Sequence, residues 1–259
     1  MKIMAHKITF INEKGGIGKT SICFNVAWEL SKTNKVLMVD MDGQRANLTY
    51  FCGVKKPDDL ITIADVLKKG KPVTEAIKNV KENLDIVPAA VDVSDISQSV
   101  KLKRMREALE EVAAEYDYIF IDVSPSPDWR QYLSLSVSDY ALLIMLPDMA
   151  SIESDNGILE SIEEVKETSN SNLKILGIVF NRNEERSNMG KEVKKISREF
   201  AAKLDTKVFD SKVRNAVALG EVAYAHIGIT EYDPKSQVAG DVIALTKEIK
   251  EEVEKYGTK

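Results

Sequence analysis

Two lysines bracket a run of glycines near the start of the chain: Lys14, Gly15, Gly16, Ile17, Gly18, Lys19, Thr20, with Ser21 following. Gly15, Gly16 and Gly18 allow a tight turn whose N–H groups converge on an anion, and a helix starting just after adds the positive end of its dipole. Lys19 can place an ammonium on the outer phosphates of a nucleotide, and the Thr20 hydroxyl can ligate Mg²⁺. The strict Gly-x-x-x-x-Gly-Lys-Ser/Thr spacing lacks its first glycine, because Glu13 stands there, and Lys14 fills the neighbouring position. Two ammonium groups around one loop repel unless negative charge lies between them, and a triphosphate supplies it. The plainer reading is a glycine turn with a solvated lysine. Against it, an apolar Ile8–Ile11 run precedes the loop and a helical pattern over Ser21–Ser31 follows, the strand, loop and helix order that phosphate binding requires.

Three acids complete the chemistry. Asp40 and Asp42 close the run Val36-Leu-Met-Val-Asp-Met-Asp, and two residues apart on an extended segment their carboxylates would face one side. Asp122 closes Tyr118-Ile-Phe-Ile-Asp, the context of an acid that holds Mg²⁺ through water. An acid at a strand end can equally cap a helix. The phosphate loop upstream favours the metal role.

These residues need a scaffold that brings strand ends together. Short β-rich runs, at 8–12, 36–40, 84–87, 118–122, 140–146 and 175–181, alternate with helical stretches such as that carrying Leu102, Met105, Leu109 and Val112. Such alternation predicts an α/β fold: one domain over 1–259, a mostly parallel sheet with helices on both faces and ligands at the carboxyl ends of the strands.

Composition narrows the classes. The chain has 259 residues, 44% hydrophobic and 30% charged, with no apolar run of membrane-spanning length, so a globular water-soluble protein is expected. Met1–Lys7 is too short for a secretory signal, which leads to a cytoplasmic expectation. Cys23 and Cys52 form no Cys-x-x-Cys pair, and His6 and His226 stand far apart, so neither zinc nor a disulfide framework is suggested. A net charge of −5 argues against a chain that coats nucleic acid over its whole surface but leaves a local patch open.

Residues 14–21, the stretch Val39-Asp-Met-Asp-Gly-Gln-Arg-Ala-Asn-Leu-Thr, the run 118–122 and Glu231-Tyr-Asp-Pro-Lys-Ser near the end resemble, in order, the ParA family of plasmid and chromosome partition ATPases. This family belongs to the deviant-Walker P-loop NTPase class. The resemblance implies a slow Mg²⁺-dependent ATPase with ATP and Mg²⁺ as cofactors and a homodimer that sandwiches two ATP molecules. Lys14 would reach the partner's phosphates, Asp42 would orient the attacking water, and Asp40 and Asp122 would serve the Mg²⁺ side. Asn181 resembles an adenine contact, and Pro234 and Ser236 match a base-lining segment. Three positions depart from the family pattern: Gly43 for proline, Glu13 for glutamine, and Val123-Ser124 for the Thr-Pro after the last acid.

Between Lys174 and Arg214 the charge balance is +5, against −10 for the remainder. On a helix predicted over Met189–Leu204, at about 100° per residue, Lys191, Lys194, Lys195 and Arg198 share one face while Val193, Ile196, Phe200 and Leu204 fall opposite. Lys212 and Arg214 follow. Such a row is often plain solvated surface. With the family resemblance it suits non-specific double-stranded DNA, a nucleoid-associated location, and reset by a centromere-bound ParB-type protein. No N-terminal helix-turn-helix is expected.

A MinD-type ATPase acting on membrane is the nearest alternative, but Ile249, Val253 and Tyr256 in the last helical stretch read as a core stripe, so no membrane partner is expected. A metallocluster ATPase is the other. Neither cysteine lies in the segment after Asp122 that such a cluster would need.

Overall fold

The computed structural model describes residues 4–42, 47–55, 59–89, 102–147, 156–182 and 190–257. Seven strands form one sheet: β1 (His6–Ile11), β2 (Val36–Asp40), β3 (Lys78–Lys81), β4 (Leu84–Val87), β5 (Tyr118–Asp122), β6 (Tyr140–Met145) and β7 (Lys174–Phe180). Their spatial order is β3-β4-β2-β5-β1-β6-β7. All neighbours run parallel except β3, which pairs antiparallel with β4 at one edge. The central strands are continuous apolar runs because helices cover both faces.

Alternate strand residues sort into two cores. Ile8, Phe10, Met38, Phe120, Leu142 and Ile144 pack with α1 (Lys19–Leu30) and the C-terminal helix. Ile11, Leu37, Val39, Ile121, Leu143 and Met145 face the other side, against α4 (Leu102–Val112), α5 (Trp129–Val137) and α6 (Asn156–Thr168). The predicted stripe of α4 holds: Met105, Leu109 and Val112 are buried, and Leu102 packs at the margin.

Two short helices, α2 (Asn47–Phe51) and α3 (Val73–Ala76), lie between β2 and β3. Beyond β7 come α7 (Gly190–Lys203), α8 (Ala218–Ala225), α9 (Ile229–Tyr232) and α10 (Gln237–Gly257). Asn25 of α1 accepts the Ile229 N–H through Oδ1 at 2.7 Å, and Trp28 Nε1 donates to Glu231 at 3.1 Å. These two bonds fasten the C-terminal segment onto the helix that begins at the glycine loop. In α10, Val242, Leu245, Ile249 and Val253 are buried, so its apolar stripe is a core stripe.

Candidate nucleotide site

The glycine loop leaves β1 at Asn12, whose Oδ1 accepts the Lys14 N–H at 2.6 Å, and enters α1 at Lys19. Gly16 and Gly18 sit at φ +75° and +93°, in the left-handed region that favours glycine. No side chain caps the first turn of α1, so its amide donors remain for an anion. Gly18 is also pressed from outside: a Cβ there would lie 2.2 Å from Asn181 Nδ2. That Nδ2 donates to the Ile17 carbonyl at 2.6 Å, and the Asn181 N–H donates to Met145 at 2.9 Å. Asn181 therefore locks the loop to the end of β7, while its buried Oδ1 has no hydrogen-bond partner among the described residues.

The acids meet the loop because β5 lies between β1 and β2, with Asp122 in register with both Phe10 and Asp40. Thr20 Oγ1 donates to Asp122 Oδ2 at 2.6 Å. Asp122 is fully buried, and its Oδ1 accepts no hydrogen bond among the described residues. Burial, and then the Asp40 charge, push its carboxyl well above the ordinary carboxylate range, against the Thr20 bond and Lys19. Lys19 is only 6% exposed, and burial lowers its ammonium, partly offset by Asp122 and Asp42. A phosphate with its Mg²⁺ would complement both the desolvated Lys19 cation and the Asp122 oxygen that accepts no hydrogen bond among the described residues. Among the described residues no group of three or more His, Cys, Asp or Glu could cage a metal. Thr20 and Asp122 instead fit the usual Mg²⁺ mode, in which one or two protein oxygens act with phosphates and water.

Asp40 and Asp42 do not share one role-bearing side. The strand ends at Asp40, and the Asp42 N–H turns back onto Asp40 Oδ1 at 3.0 Å. Asp40 Oδ2 accepts Thr49 N–H at 2.8 Å and Thr49 Oγ1 at 2.7 Å, so this carboxylate is spent on the chain. Burial raises its pKa to about 6 despite those bonds. Asp42, 5% exposed, accepts Asn47 Nδ2 at 3.2 Å and opens onto the cleft.

That cleft, about 450 Å³, is lined by residues 15–21 and Asp42. Asn47 of the 39–49 stretch and Val123 line it too, as do Phe51, Pro125 and Arg182, to which the motifs alone do not point. Phe51 offers a flat apolar surface, and Arg182, at φ +54° just past Asn181, adds a cation. A second hollow of about 520 Å³ lies at the opposite ends of the strands, by His6, Asp139 and Lys174, away from the loop.

A family model described as an AAA domain matches residues 5–175. The chain is 33% identical over 260 residues to the sporulation initiation inhibitor protein Soj of Bacillus subtilis, covering 95% of this chain and 98% of Soj. It is 32% identical over 250 residues to a virulence plasmid ParA family protein of Chlamydia psittaci, covering 93% of each. The chain belongs to the ParA family of P-loop ATPases. Its fold also superposes on the septum site-determining protein MinD of Pyrococcus horikoshii, solved with Mg-ADP, with TM-score 0.78 and 25% identity over 95% of this chain and 96% of MinD.

The remaining expected ParA-family positions divide. Lys14 is exposed at the loop mouth. Pro234 is exposed, and Ser236 Oγ donates to the Asp233 carbonyl at 2.7 Å and accepts the Ala239 N–H at 3.2 Å, capping α10; neither lines the cleft. Lys195 and Arg198 are exposed on α7, and Arg198 and Lys212 border a shallow hollow of about 120 Å³. Arg214 departs from the outward row. Its Nε and Nη2 donate to Asp241 at 2.6 and 2.8 Å, and Nη1 to Gln237 at 2.5 Å, which ties it to α10. The side chains of Lys191 and Lys194, and Gly43, lie outside the described residues.

Proposed function

We propose that this chain is a Mg²⁺-dependent ATPase whose ATP-bound form is a homodimer that holds double-stranded DNA without reading sequence. Hydrolysis, stimulated by a ParB-type partner, releases it. The observation that carries the reading is the division between the two loop lysines: Lys19 is buried beside Asp122 and Asp42, whereas Lys14 is exposed at the same loop. One ammonium serves the chain's own triphosphate. The other is available to a second copy, where shared phosphate charge offsets its repulsion from Lys19.

Within one subunit, the amides of residues 15–20 and the N-terminus of α1 hold the phosphates, and Asn181 keeps the loop closed. Thr20 and Asp122 would hold Mg²⁺, which would supply positive charge against that developing on the transferred phosphoryl group. Asp42, steadied by Asn47, would orient a water for in-line attack. Positioning and charge stabilisation carry such a transfer. Two subunits would double the cationic face of Lys195, Arg198 and Lys212, turning weak phosphate contacts into avidity. The name of one further relative, the chromosome partitioning protein ParA of Myxococcus xanthus, 31% identical over 249 residues, supports this cargo.

A membrane role is the poorer reading. The apolar stripe of α10 is already in the core, and no helix among the described residues is long and apolar enough to cross a membrane. The deciding experiment is binding to a DNA-coated surface with ATP, ADP or no nucleotide, beside sedimentation with liposomes. Retention on DNA with ATP alone is expected. Pelleting with lipid and not with DNA would reverse the assignment.

A further inference from the structure

We propose that Asp40 is a positioning residue that sets Asp42 through helix α2, rather than a group on the metal side; this rests on the ATPase reading above. Three donors converge on its buried carboxylate: the Asp42 N–H on Oδ1, and the Thr49 N–H and hydroxyl on Oδ2. Thr49 Oγ1 in turn accepts the Ala89 N–H at 2.9 Å, so the loop after β4 joins the same chain of bonds. Asn47, two residues before Thr49 on α2, reaches the Asp42 carboxylate, and Phe51, two residues after, lines the cleft. Asp42 is thus held at its backbone by Asp40 and at its side chain by a helix that Asp40 anchors.

The anchor matters because α2 has only five residues, and a helix that short has no stability of its own in water. Its position comes from tertiary bonds, and the convergence on Asp40 is the buried polar part of them. The contrast with Asp122 is direct. The two acids are register partners on neighbouring strands and both fully buried, yet Asp122 keeps an oxygen without a partner while Asp40 has both engaged. The chemistry also accounts for a carboxylate at 40. Asparagine has one acceptor oxygen, and its NH₂ would meet either the Asp42 N–H or the Thr49 donors head-on.

The test uses the full chain and the variants Thr49→Val, Thr49→Ser and Asp40→Asn. ATP turnover, the Mg²⁺ concentration for half-maximal rate, and amide exchange at Thr49 and Ala89 without nucleotide would be measured. Thr49→Val keeps the shape and removes the hydroxyl; kcat should fall about 10- to 100-fold, with KM and Mg²⁺ half-saturation within about twofold of the parent. Exchange at Ala89 should accelerate, since its acceptor is gone, and Thr49→Ser should restore both readouts. Asp40→Asn should lower kcat without raising the Mg²⁺ requirement. Parental kcat and exchange in Thr49→Val would overturn the assignment, as would an Asp40→Asn protein whose sole defect is a raised Mg²⁺ requirement. Should Thr49→Val fail to fold by circular dichroism, the Mg²⁺ dependence of Asp40→Asn decides. A parent without ATP turnover would instead defeat the ATPase reading, and the exchange data would still judge the anchor.

Discussion

Thr20 and Asp122, 102 positions apart in sequence, meet at 2.6 Å with the hydroxyl donating to the carboxylate. The contact follows from strand order. Placing β5 beside β1 brings the end of one run to the loop that leaves the other. The fold itself therefore joins the loop to Asp122, and the cost is a buried acid with one oxygen that accepts no hydrogen bond among the described residues.

That cost has a sign. A carboxyl whose folded-state pKa lies above its ordinary 3.8 binds its proton more tightly folded than unfolded, so folding stability falls as pH rises above that value. Asp122→Asn removes the buried ionisable group, and with it the cost of its raised pKa at neutral pH, and keeps an oxygen for Thr20. The nucleotide-free variant should melt a few degrees higher than the parent, with a flatter dependence on pH, and bind Mg-ATP at least about tenfold more weakly. Thermal melts without ligand and titration with a fluorescent ATP analogue check both. A variant that melts lower would show that Asp122 stabilises the empty site.

Gly18 and Gly16 separate two kinds of glycine requirement. Both have positive φ, but a Cβ on Gly18 would also collide with Asn181 Nδ2, whereas a Cβ on Gly16 would meet nothing within 4 Å. Gly16→Ala should cost about 1 kcal/mol of stability, the strain of the backbone alone. Gly18→Ala should cost about 1–3 kcal/mol and displace Asn181, abolishing nucleotide binding. Urea denaturation would measure the difference, and equal costs for the two would remove the steric argument.

Legibility follows burial. The sequence runs at 36–40, 84–87 and 118–122 match β2, β4 and β5 residue for residue; β2 and β5, covered on both faces, are apolar until they end in the acids of the site, and β4 breaks its apolar run at Asp85. The edge strand β3, Lys78–Lys81, has two lysines and an asparagine in four residues and carries no such signal. Phosphate-side residues are readable from glycine and lysine spacing. Phe51 and Arg182 are not, since they reach the cleft by turns that no periodicity encodes, and Asn47 falls in the 39–49 stretch without a role being legible for it. Extended geometry carried on to Asp42 would turn both carboxylates to one side, whereas the Asp42 N–H turns back onto the Asp40 side chain; the metal-side role of Asp40 comes from the family resemblance alone. Arg214 reads as outward-facing only because Asp241, its partner, lies 27 positions on.

Lys14 and Asp42 should fail in opposite ways. Lys14→Ala leaves the buried Lys19 in place, so ATP affinity should stay within about threefold while ATP-dependent dimer formation and turnover are lost. Asp42→Ala should keep an ATP-bound dimer and lower kcat by about 10²-fold or more. Size-exclusion profiles with ATP distinguish them. A Lys14→Ala protein that dimerises and hydrolyses like the parent would show that the exposed lysine has no role across subunits.

Charge removal on the α7 side gives another divided outcome. Among the described residues Lys195 pairs with Glu199 at 3.9 Å on the exposed face of α7, an interaction too solvated to matter for folding. Replacing Lys195, Arg198 and Lys212 by Ala should flatten the salt dependence of DNA retention, with the log–log slope falling by about one for each phosphate no longer neutralised, and spare ATP affinity. Arg214→Ala should instead lower the melting temperature, because it strands Asp241 on α10. If the triple variant is retained on DNA like the parent across the salt series, this face is plain surface.

Lys207 makes the last case, through pH. Its ammonium lies 3.1 Å from Glu248 and 3.0 Å from Glu252, and Glu248 also accepts the Asp210 and Ser211 N–H groups. Burial alone would raise both carboxyls, but the Ser211 and Asp210 amides and Lys207 outweigh it at Glu248, and Lys207 and Lys255 do so at Glu252, leaving both below their ordinary 4.5. At Lys207 burial would lower the ammonium, and the two glutamates outweigh that and raise it above 10.5. A lowered acid contributes stability that is present above 4.5 and lost as pH falls through its folded-state value; the raised lysine contributes below 10.5 and loses it above. The cluster thus acts across the neutral range and fades at both ends. Because these groups are partly solvated, Lys207→Met should cost about 1 kcal/mol or less near neutral pH, and the gap from the parent should narrow as pH falls below the ordinary 4.5 of the two glutamates. Urea denaturation on either side of that value would check it. A gap unchanged at low pH would mean that Lys207 acts by packing its stem against Phe209, whose ring centroid lies 4.6 Å from the ammonium, and not by its charge.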